Sequence, residues 1–272
     1  MFKLNKPIIT TDTIKGMEDM SYFTHALIFD DLLIVAQKET NCFVLKTTEG
    51  LIVIDAIWPC KEAFEAIKNA IFDVSWNPKD IKKLVLTHGH ADHTGCGRWI
   101  KDKYKCRAYL SEVDDNYWRC NPIKPNNPKI FKDYEIDKYI KDGDKITLGD
   151  KTIFVYSTPG HTPGGLSFIF NITEKEQTYH AALFGGTNPP NNLKGLITYM
   201  KSLDYFINEA GLKNVTVALT NHTAIDNGHE RILYSKKRMA YMPNIYVLKE
   251  NEFRNFFSVF KNLAYDKLEN LL

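Results

Sequence analysis

Short runs of apolar residues, many of them β-branched or aromatic, recur along most of the chain and end at turn-forming residues. The clearest runs are DLLIVAQ, NCFVLKT, GLIVIDA, KKLVLTH, KCRAYLS, KITLGDKTIFVYS, GLSFIFNI, HAALFGG and VTVALTN. Their composition and length are typical of β-strands, and the pair Gly149 and Asp150 suits a tight hairpin turn. The first third of the chain is therefore expected to form an antiparallel meander that one helix closes.

Other segments place apolar residues at the spacing of one helix face. This pattern predicts a helix in CKEAFEAIKNAIFDV and another in YMKSLDYFINEAG, with Gly211 as the C-cap of the latter. A further helix is predicted to begin just after His93 and to run through Ile100. The amphipathic tail KENEFRNFFSVFKNLAYDKLENLL is expected to pack onto the same domain, and a partner-binding face is the alternative interpretation.

No repeat, low-complexity tract or flexible linker divides the 272 residues. The sequence therefore predicts a single α/β domain over residues 1–272, with a core at about 25–235 and a C-terminal helical extension at 236–272. The segment RCNPIKPNNPKIFK, residues 119–132, is expected to be a long surface loop. Such loops often border a functional site.

Composition narrows the function classes mainly by exclusion. The chain has 35 basic and 33 acidic residues, a formal net charge of +2, so it lacks the basic footprint of a nucleic-acid-binding protein. Five cysteines without CxxC spacing do not indicate a disulfide framework. The N-terminus MFKLNKPIITTDTIKG does not resemble a signal peptide, and no apolar run reaches the length of a membrane span. These features predict a cytoplasmic protein with neither a nucleic-acid nor a membrane partner.

Three of the eight histidines lie in THGHADH, residues 87–93, directly after the apolar run KKLVL. His88 and His90 are two residues apart, so in an extended segment both imidazoles point the same way and can bind one cation. Asp92 and His93 follow where the chain must turn into a helix, and there they face a neighbouring position. The spacing predicts two pairs of ligands for two adjacent metal ions, against the alternative of a polar loop whose histidines cluster by chance.

One loop cannot complete two sites, because a catalytic zinc usually takes three protein ligands and leaves a position for water. His161 in YSTPGHTPGG and His222 in VTVALTNHTAID also follow predicted strands, and they are the expected third ligands. The remaining histidines are expected to be structural or solvent-facing: His25 before the meander, His180 at the start of a strand and His229 in a loop. His180 or His229 is the alternative ligand if His222 points elsewhere.

On the motifs THGHADH, TPGHTPGG and the late NH at residues 221–222, with GLIVIDA ahead of them, the sequence resembles the metallo-β-lactamase superfamily. The resemblance spans about residues 25–235 and implies a four-layer αβ/βα sandwich, in which helices flank two mixed β-sheets. Gly186 stands where glyoxalase II, the quorum-quenching lactonases and the RNA-processing members carry a metal-bridging aspartate. No cysteine takes a ligand position, so the chain is similar to the β-lactamase subclass with His-His-His and Asp-His-His zinc sites.

The resemblance implies two Zn²⁺ ions per chain, although nitrogen-rich ligation also leaves manganese or iron open. The implied ligands are His88, His90 and His161 for one ion and Asp92, His93 and His222 for the other. Two such ions lower the pKa of a shared water toward about 7, so the expected reaction is attack of metal-bridged hydroxide on an amide, β-lactam or ester carbonyl. Asp92 would be both a ligand and the catalytic group that orients the nucleophile.

The sequence leaves three points open, which concern the function, the role of Asp55 and the walls of the substrate pocket. An intracellular lactonase or thioesterase is the alternative enzyme, and a zinc-stabilised binding module is the alternative without catalysis. Asp55 is either a carboxylate that holds the motif loop or one of its histidines, or a turn residue at a strand end. Thr162 and the segments 119–132 and 185–192 are plausible walls of a substrate pocket, and Cys96 is expected to be a buried small residue inside a helix.

Overall fold

Two β-sheets contain the strands of the described part of the chain. The structure, a computed structural model, describes residues 22–120 and 134–272. The N-terminal segment discussed above and most of the predicted surface loop at 119–132 lie outside these residues. Among the described residues, no helix combines the length and the apolar character that crossing a lipid bilayer requires.

The first sheet has seven strands that neighbour one another in chain order. These are β1 (Phe23–Phe29), β2 (Leu32–Gln37), β3 (Asn41–Thr47), β4 (Gly50–Ile54), β5 (Ile81–Val85), β6 (Arg107–Leu110) and β7 (Lys138–Tyr139). Strands β1 to β4 are antiparallel, which confirms the meander, and β4 to β7 pair in parallel. His25 lies within β1 and not before the meander, because FTHALIF adds one more strand to it.

The second sheet has the strand order β12-β11-β10-β9-β8. Its strands are β8 (Lys145–Leu148), β9 (Lys151–Ser157), β10 (Leu166–Glu174), β11 (Gln177–Leu183) and β12 (Val217–Leu219). All pairs in this sheet are antiparallel except β11 with β12. Gly149 has a φ of 51° in the turn between β8 and β9, as the predicted hairpin requires. His180 lies in the middle of β11, opposite Asn171, and not at a strand start.

The described part of the chain forms seven α-helices, four of which cover the outer faces of the sheets. The seven helices are α1 (Lys61–Asp73), α2 (Ala91–Thr94), α3 (Gly97–Tyr104), α4 (Glu112–Cys120), α5 (Leu193–Leu212), α6 (Gly228–Lys237) and α7 (Glu250–Glu269). Helix α1 confirms the first helical pattern. Helix α5 begins six residues before the predicted start, because the Asn192 side chain caps it by accepting from the backbone N–H of Gly195 at 2.8 Å. Its C-cap is Lys213 and not Gly211.

The helix predicted after His93 is two elements, α2 and α3, with a break between them. At the break, a Cβ on Gly95 would lie 2.0 Å from the carbonyl oxygen of Ile57, so the chain passes directly against the loop between β4 and α1. The Cys96 N–H donates to the Ala56 carbonyl at 3.0 Å, which is a bond outside the helix. Cys96 is fully buried, as predicted, but it precedes α3 and is not inside a helix.

The two sheets pack face to face and are apolar on both faces. The side chains between them include Ile34, Phe43, Ile52 and Ile54 from the first sheet and Val155, Phe168, Phe170 and Leu183 from the second. The opposite face of the first sheet packs on α1 and α3, and that of the second sheet packs on α5 and α7. Strand β2 is buried at all six positions, because both faces of its sheet are covered. These layers confirm the predicted αβ/βα sandwich.

The C-terminal tail forms α7 and packs onto the second sheet, as predicted for it. Phe257 lies against Phe206 of α5, with ring centroids 6.0 Å apart, and Phe260 lies against Phe184 at 5.7 Å. Four phenylalanines of α7 are buried in this cluster: Phe253, Phe256, Phe257 and Phe260. The division into a core at 25–235 and an extension at 236–272 stays a prediction.

Candidate metal centre

Three strand ends bring histidines and one aspartate to the same edge of the sandwich. The THGHADH segment follows β5, His161 follows β9 and His222 follows β12. The six predicted residues meet there in two groups, and within each group the candidate ligand atoms lie within 4.8 Å of one another. The first group is His88, His90 and His161, and the second is Asp92, His93 and His222.

The remaining histidines are outside these groups. His25 lies near Asp73, with 3.4 Å between Nε2 and Oδ2, and His180 is in β11. His229 is in the first turn of α6 and not in a loop, and its Nε2 donates to the carbonyl oxygen of Lys38 at 2.7 Å. Because His222 points into the cluster, neither alternative ligand is needed.

Hydrogen-bond acceptors orient the imidazoles of the first group. His161 Nδ1 lies 2.6 Å from the carbonyl oxygen of Asn188, which can only accept, so Nδ1 carries the proton and Nε2 has a free lone pair. The Thr87 hydroxyl donates to the carboxylate of Asp55 and accepts from His88 Nδ1 at 3.0 Å. His88 Nε2 is consequently an unprotonated nitrogen, and it is buried without a hydrogen-bond partner.

The third imidazole of this group, His90, has its Nδ1 3.0 Å from His161 Nε2. Its Nε2 lies 3.2 Å from the hydroxyl of Tyr117. Three nitrogens therefore converge, and one of them, His88 Nε2, is a buried polar atom without a partner. An unsatisfied buried polar atom costs about 1–3 kcal/mol, and a bound cation would remove that cost. The three imidazole nitrogens of this group are therefore suitable ligands for a metal ion.

The second group is arranged by the same kind of contact. His93 Nδ1 donates to Asp55 Oδ2 at 2.9 Å, and His222 Nδ1 donates to the carbonyl oxygen of Glu39 at 3.2 Å. Both Nε2 atoms then point inward and lie 3.2 Å apart. Asp92 Oδ2 is 3.4 Å from His93 Nε2 and 3.7 Å from His222 Nε2. Two imidazole nitrogens and one carboxylate oxygen therefore face a common point.

Burial sets the charge of most of these side chains. It lowers the pKa of His88 and of His161 well below the ordinary 6.5, and neighbouring imidazoles act in the same direction. Burial and the nearby His93 lower the pKa of His222 to about 4. These imidazoles are therefore neutral at pH 7, which is the form that binds a metal.

The pair Asp92 and His93 differs from the rest. Burial would lower the pKa of His93, but the carboxylates of Asp92 and Asp55 raise it to about 10. Burial would also raise the pKa of Asp92, but His93 and the other imidazoles hold it well below its usual range. Without a metal the two form an ion pair, so a cation bound here would displace a proton from His93.

Asp55 connects the motif loop to one of its histidines. Its Oδ1 accepts from the backbone N–H of Thr87 at 2.8 Å, while its Oδ2 accepts from His93 Nδ1. The amide of Asn221 lies 3.3 Å from Asp55 Oδ2 and donates to the carbonyl of Gly185 at 2.9 Å. Asp55 is 1% exposed, and these contacts match the interpretation of a supporting carboxylate.

A second buried carboxylate, Asp114 of α4, connects two of the histidine-bearing loops. Its Oδ2 accepts from the N–H of Gly89 at 2.8 Å and from the hydroxyl of Thr162 at 2.6 Å. Its Oδ1 accepts from the N–H of Gly164 at 2.6 Å. Sequence reasoning missed Asp114, because it lies outside the histidine motifs and nothing in its own segment marks this carboxylate as buried. Thr162 is 2% exposed and its hydroxyl bonds to Asp114, so it does not line an open pocket.

Replacing Asp114 by alanine is expected to lower the free energy of unfolding of the metal-free protein by about 2–4 kcal/mol. The change leaves the N–H groups of Gly89 and Gly164 buried without acceptors, at about 1–3 kcal/mol each, and part of this is offset because the cost of burying the carboxylate disappears. Urea denaturation measures the loss. Asp115→Ala is the matched control, because that adjacent carboxylate contacts Arg119 and Tyr139 and neither loop. A loss for Asp114→Ala no larger than for the control would contradict this role.

A family model described as the metallo-beta-lactamase superfamily matches residues 36–173. The chain belongs to the metallo-beta-lactamase superfamily. The crystal structure of BJP-1, a subclass B3 metallo-beta-lactamase of Bradyrhizobium japonicum, is similar in fold, with a TM-score of 0.77 and 22% sequence identity. The similarity covers 96% of this chain and 100% of that one. Both the predicted family and the predicted fold are therefore confirmed.

Two curated relatives match about half of this superfamily member. An uncharacterized protein of Mycobacterium leprae is 28% identical over 141 residues, which are 48% of this chain and 62% of the relative. A hydroxyacylglutathione hydrolase of Buchnera aphidicola is 30% identical over 125 residues, 46% of this chain and 40% of that enzyme. The chain thus spans less than two thirds of the length of either relative.

Proposed function

We propose that this protein is a zinc-dependent hydrolase that holds two metal ions and cleaves an amide, β-lactam or ester bond in a small molecule. The observation that carries the proposal is the pair of three-ligand groups at one edge of the sandwich. Structural zinc sites are normally closed by four protein ligands, often cysteines. Each group here offers three ligands among the described residues, so each ion would keep a position for water or substrate.

The ligand types support zinc as the metal. The first ion would be held by three imidazoles, and the second by two imidazoles and one carboxylate. Imidazole suits zinc well, whereas magnesium and calcium prefer oxygen donors. Bound at these two groups, zinc ions supply a lowered pKa for water and polarisation of a carbonyl oxygen.

We assign to Asp92 the role of orienting the water molecule that acts as the nucleophile. Its carboxylate is ionised, because nearby imidazoles hold its pKa below the usual range, and Thr40 Oγ1 donates to its Oδ2 at 3.4 Å. An ionised carboxylate can accept a hydrogen bond from the attacking water and fix the direction of its lone pair. Asp92 would therefore serve both as a ligand and as the group that orients the nucleophile.

Gly186 favours a β-lactamase-like site over a lactonase or thioesterase. A Cβ on Gly186 would lie 2.7 Å from the Cβ of His161, so an aspartate does not fit at this position unless His161 moves. The site therefore has no space for the bridging aspartate that the esterase-type members are expected to carry there. The thioesterase stays as a second candidate, because one relative is a hydroxyacylglutathione hydrolase.

The cytoplasmic location expected from the sequence stays a prediction.

Metal analysis and a substrate panel test this function. The purified protein is expected to contain about two zinc ions per chain, to hydrolyse a chromogenic cephalosporin, and to lose that activity on chelation and regain it with zinc. A lactone and a thioester complete the panel. The double variant His88→Ala, His222→Ala is the control, because each group loses a ligand. Turnover of the esters alone would favour the second candidate, and zinc binding without any hydrolysis would favour a binding module.

A further inference from the structure

The loop at residues 185–192 determines the orientation of His161. The Asn188 carbonyl accepts from His161 Nδ1 at 2.6 Å and so leaves Nε2 directed at the other nitrogens of the first group. The first part of the loop is held from within the sandwich. Asn221 donates to the Gly185 carbonyl at 2.9 Å, and the Tyr199 hydroxyl donates to the Gly186 carbonyl at 2.8 Å.

No side chain of this loop belongs to either ligand group. Gly186 packs directly against His161, because a Cβ at position 186 would lie 2.7 Å from the Cβ of His161. Beyond it, Asn188 and Pro189 follow before the cap of α5 at Asn192. Asn188 and Pro189 also receive contacts from another part of the protein.

Lys267, near the end of the C-terminal helix α7, makes these contacts. Its Nζ donates to Asn188 Oδ1 at 3.1 Å and to the carbonyl oxygen of Pro189. Helix α7 is itself anchored by its phenylalanines, among which Phe257 and Phe260 are fully buried. The ammonium group of Lys267, which a well-packed helix holds in place, therefore binds the loop at Asn188, the residue that orients His161, and at the next residue, Pro189.

We infer that Lys267 is a positioning residue for the first metal group, acting on His161 through Asn188. The inference rests on the proposed function, because it treats His161 as a ligand. The C-terminal helix would then contribute to metal affinity although none of its described side chains belongs to either ligand group. The loss of a side chain that orients a metal ligand typically weakens metal binding by about 10–100-fold. Lys267 acts one contact further out, so the lower end of that range applies.

Lys267→Met tests the inference, since methionine keeps the apolar stem without the ammonium group. Competition with a chromophoric chelator is expected to show about tenfold weaker binding of one zinc ion, with the other unchanged. Lys267→Arg, which can still donate to both oxygens, is expected to restore the affinity. Lys261→Met is the matched control, because Lys261 joins the same helix to Asp204 of α5 and does not contact the loop.

A second readout does not depend on metal or on activity. In the metal-free protein, the bond to Asn188 protects the Nδ1 proton of His161 from exchange, and NMR detects that proton. The signal is expected to weaken or vanish in Lys267→Met and to persist in Lys267→Arg and Lys261→Met. Wild-type protein that binds no zinc would overturn the proposed function, and the NMR signal would then still report on positioning.

Two results would overturn the inference itself. One is a Lys267→Met protein with wild-type zinc affinity and an unchanged His161 proton signal. The other is an equal loss of both zinc ions together with a lower urea midpoint of the metal-free protein, which would show that Lys267 only stabilises the fold. Loss confined to one ion, with the metal-free midpoint equal to that of Lys261→Met, supports positioning.

Discussion

Asp92→Ala is expected to lower turnover by about three orders of magnitude while the first metal group keeps most of its zinc. Positioned acid–base groups contribute about 10²–10⁴-fold to a rate, and the alanine variant loses the carboxylate that would orient the attacking water. The three imidazoles of the first group are not changed by the substitution, because none of them takes Asp92 as its orienting acceptor. Steady-state kinetics and metal analysis on the same preparation measure both quantities.

His222→Ala is the matched comparison for this experiment. It removes a ligand from the same group but leaves the Asp92 carboxylate in place, 3.4 Å from His93. We expect a similar loss of the second zinc ion in the two variants and a distinctly larger loss of turnover for Asp92→Ala. If Asp92→Ala loses turnover and zinc in equal proportion, Asp92 has no orienting role beyond ligation.

The six candidate ligands could be predicted from sequence because the information is local. Spacing within THGHADH, and the position of His161 and His222 directly after apolar strands, place each side chain at the end of a strand. The strands that precede the ligands, β5 in the first sheet and β9 and β12 in the second, all end at one edge of the sandwich, so the ligands meet there. A local sequence pattern is therefore sufficient to predict the six candidate metal ligands.

The supporting side chains could not be found in the same way, since their contacts join distant segments. Asp114 is 48 residues from Thr162, and Lys267 is 79 residues from Asn188. Neither lies in a motif, and a lysine on an amphipathic helix normally indicates only a solvated face. The supporting role of Asp55 could be proposed from sequence because Asp55 follows an apolar strand ahead of the motif, but its partners Thr87, His93 and Asn221 are known only from the tertiary structure.

Errors in the element boundaries have the same origin. The break between α2 and α3 comes from the close packing of Gly95 on the loop before α1, which local helix propensity does not report. Strand β1 was not predicted because its residue types do not follow its burial: Thr24 is buried and Leu27 is exposed, so the sequence lacks the alternation that marks a strand at the edge of a sheet. Tertiary contacts therefore determine where the helices and strands begin and end, whereas the spacing of apolar residues along the chain determines whether a segment is a helix or a strand.

Asp55→Ala is expected to have the largest effect on stability, a loss of about 3–5 kcal/mol in the free energy of unfolding of the metal-free protein. Removing one partner of a buried charged pair costs about this much, and Asp55 is 1% exposed beside His93. The Thr87 N–H also loses its acceptor. Asp55 has a φ of 64°, a conformation that aspartate tolerates better than alanine, so the backbone adds to the loss.

Zinc affinity separates this role of Asp55 from general stabilisation. His93 loses the acceptor that orients it, so the second group is expected to bind zinc about 10–100-fold more weakly. Asp31→Ala is the matched control, because Asp31 pairs with Lys151 at 2.6 Å and accepts from the Thr173 N–H at 2.9 Å, on side chains outside both ligand groups. That variant should unfold more easily yet bind zinc normally. If Asp55→Ala also bound zinc with wild-type affinity, the carboxylate would stabilise the fold without holding His93 for the metal.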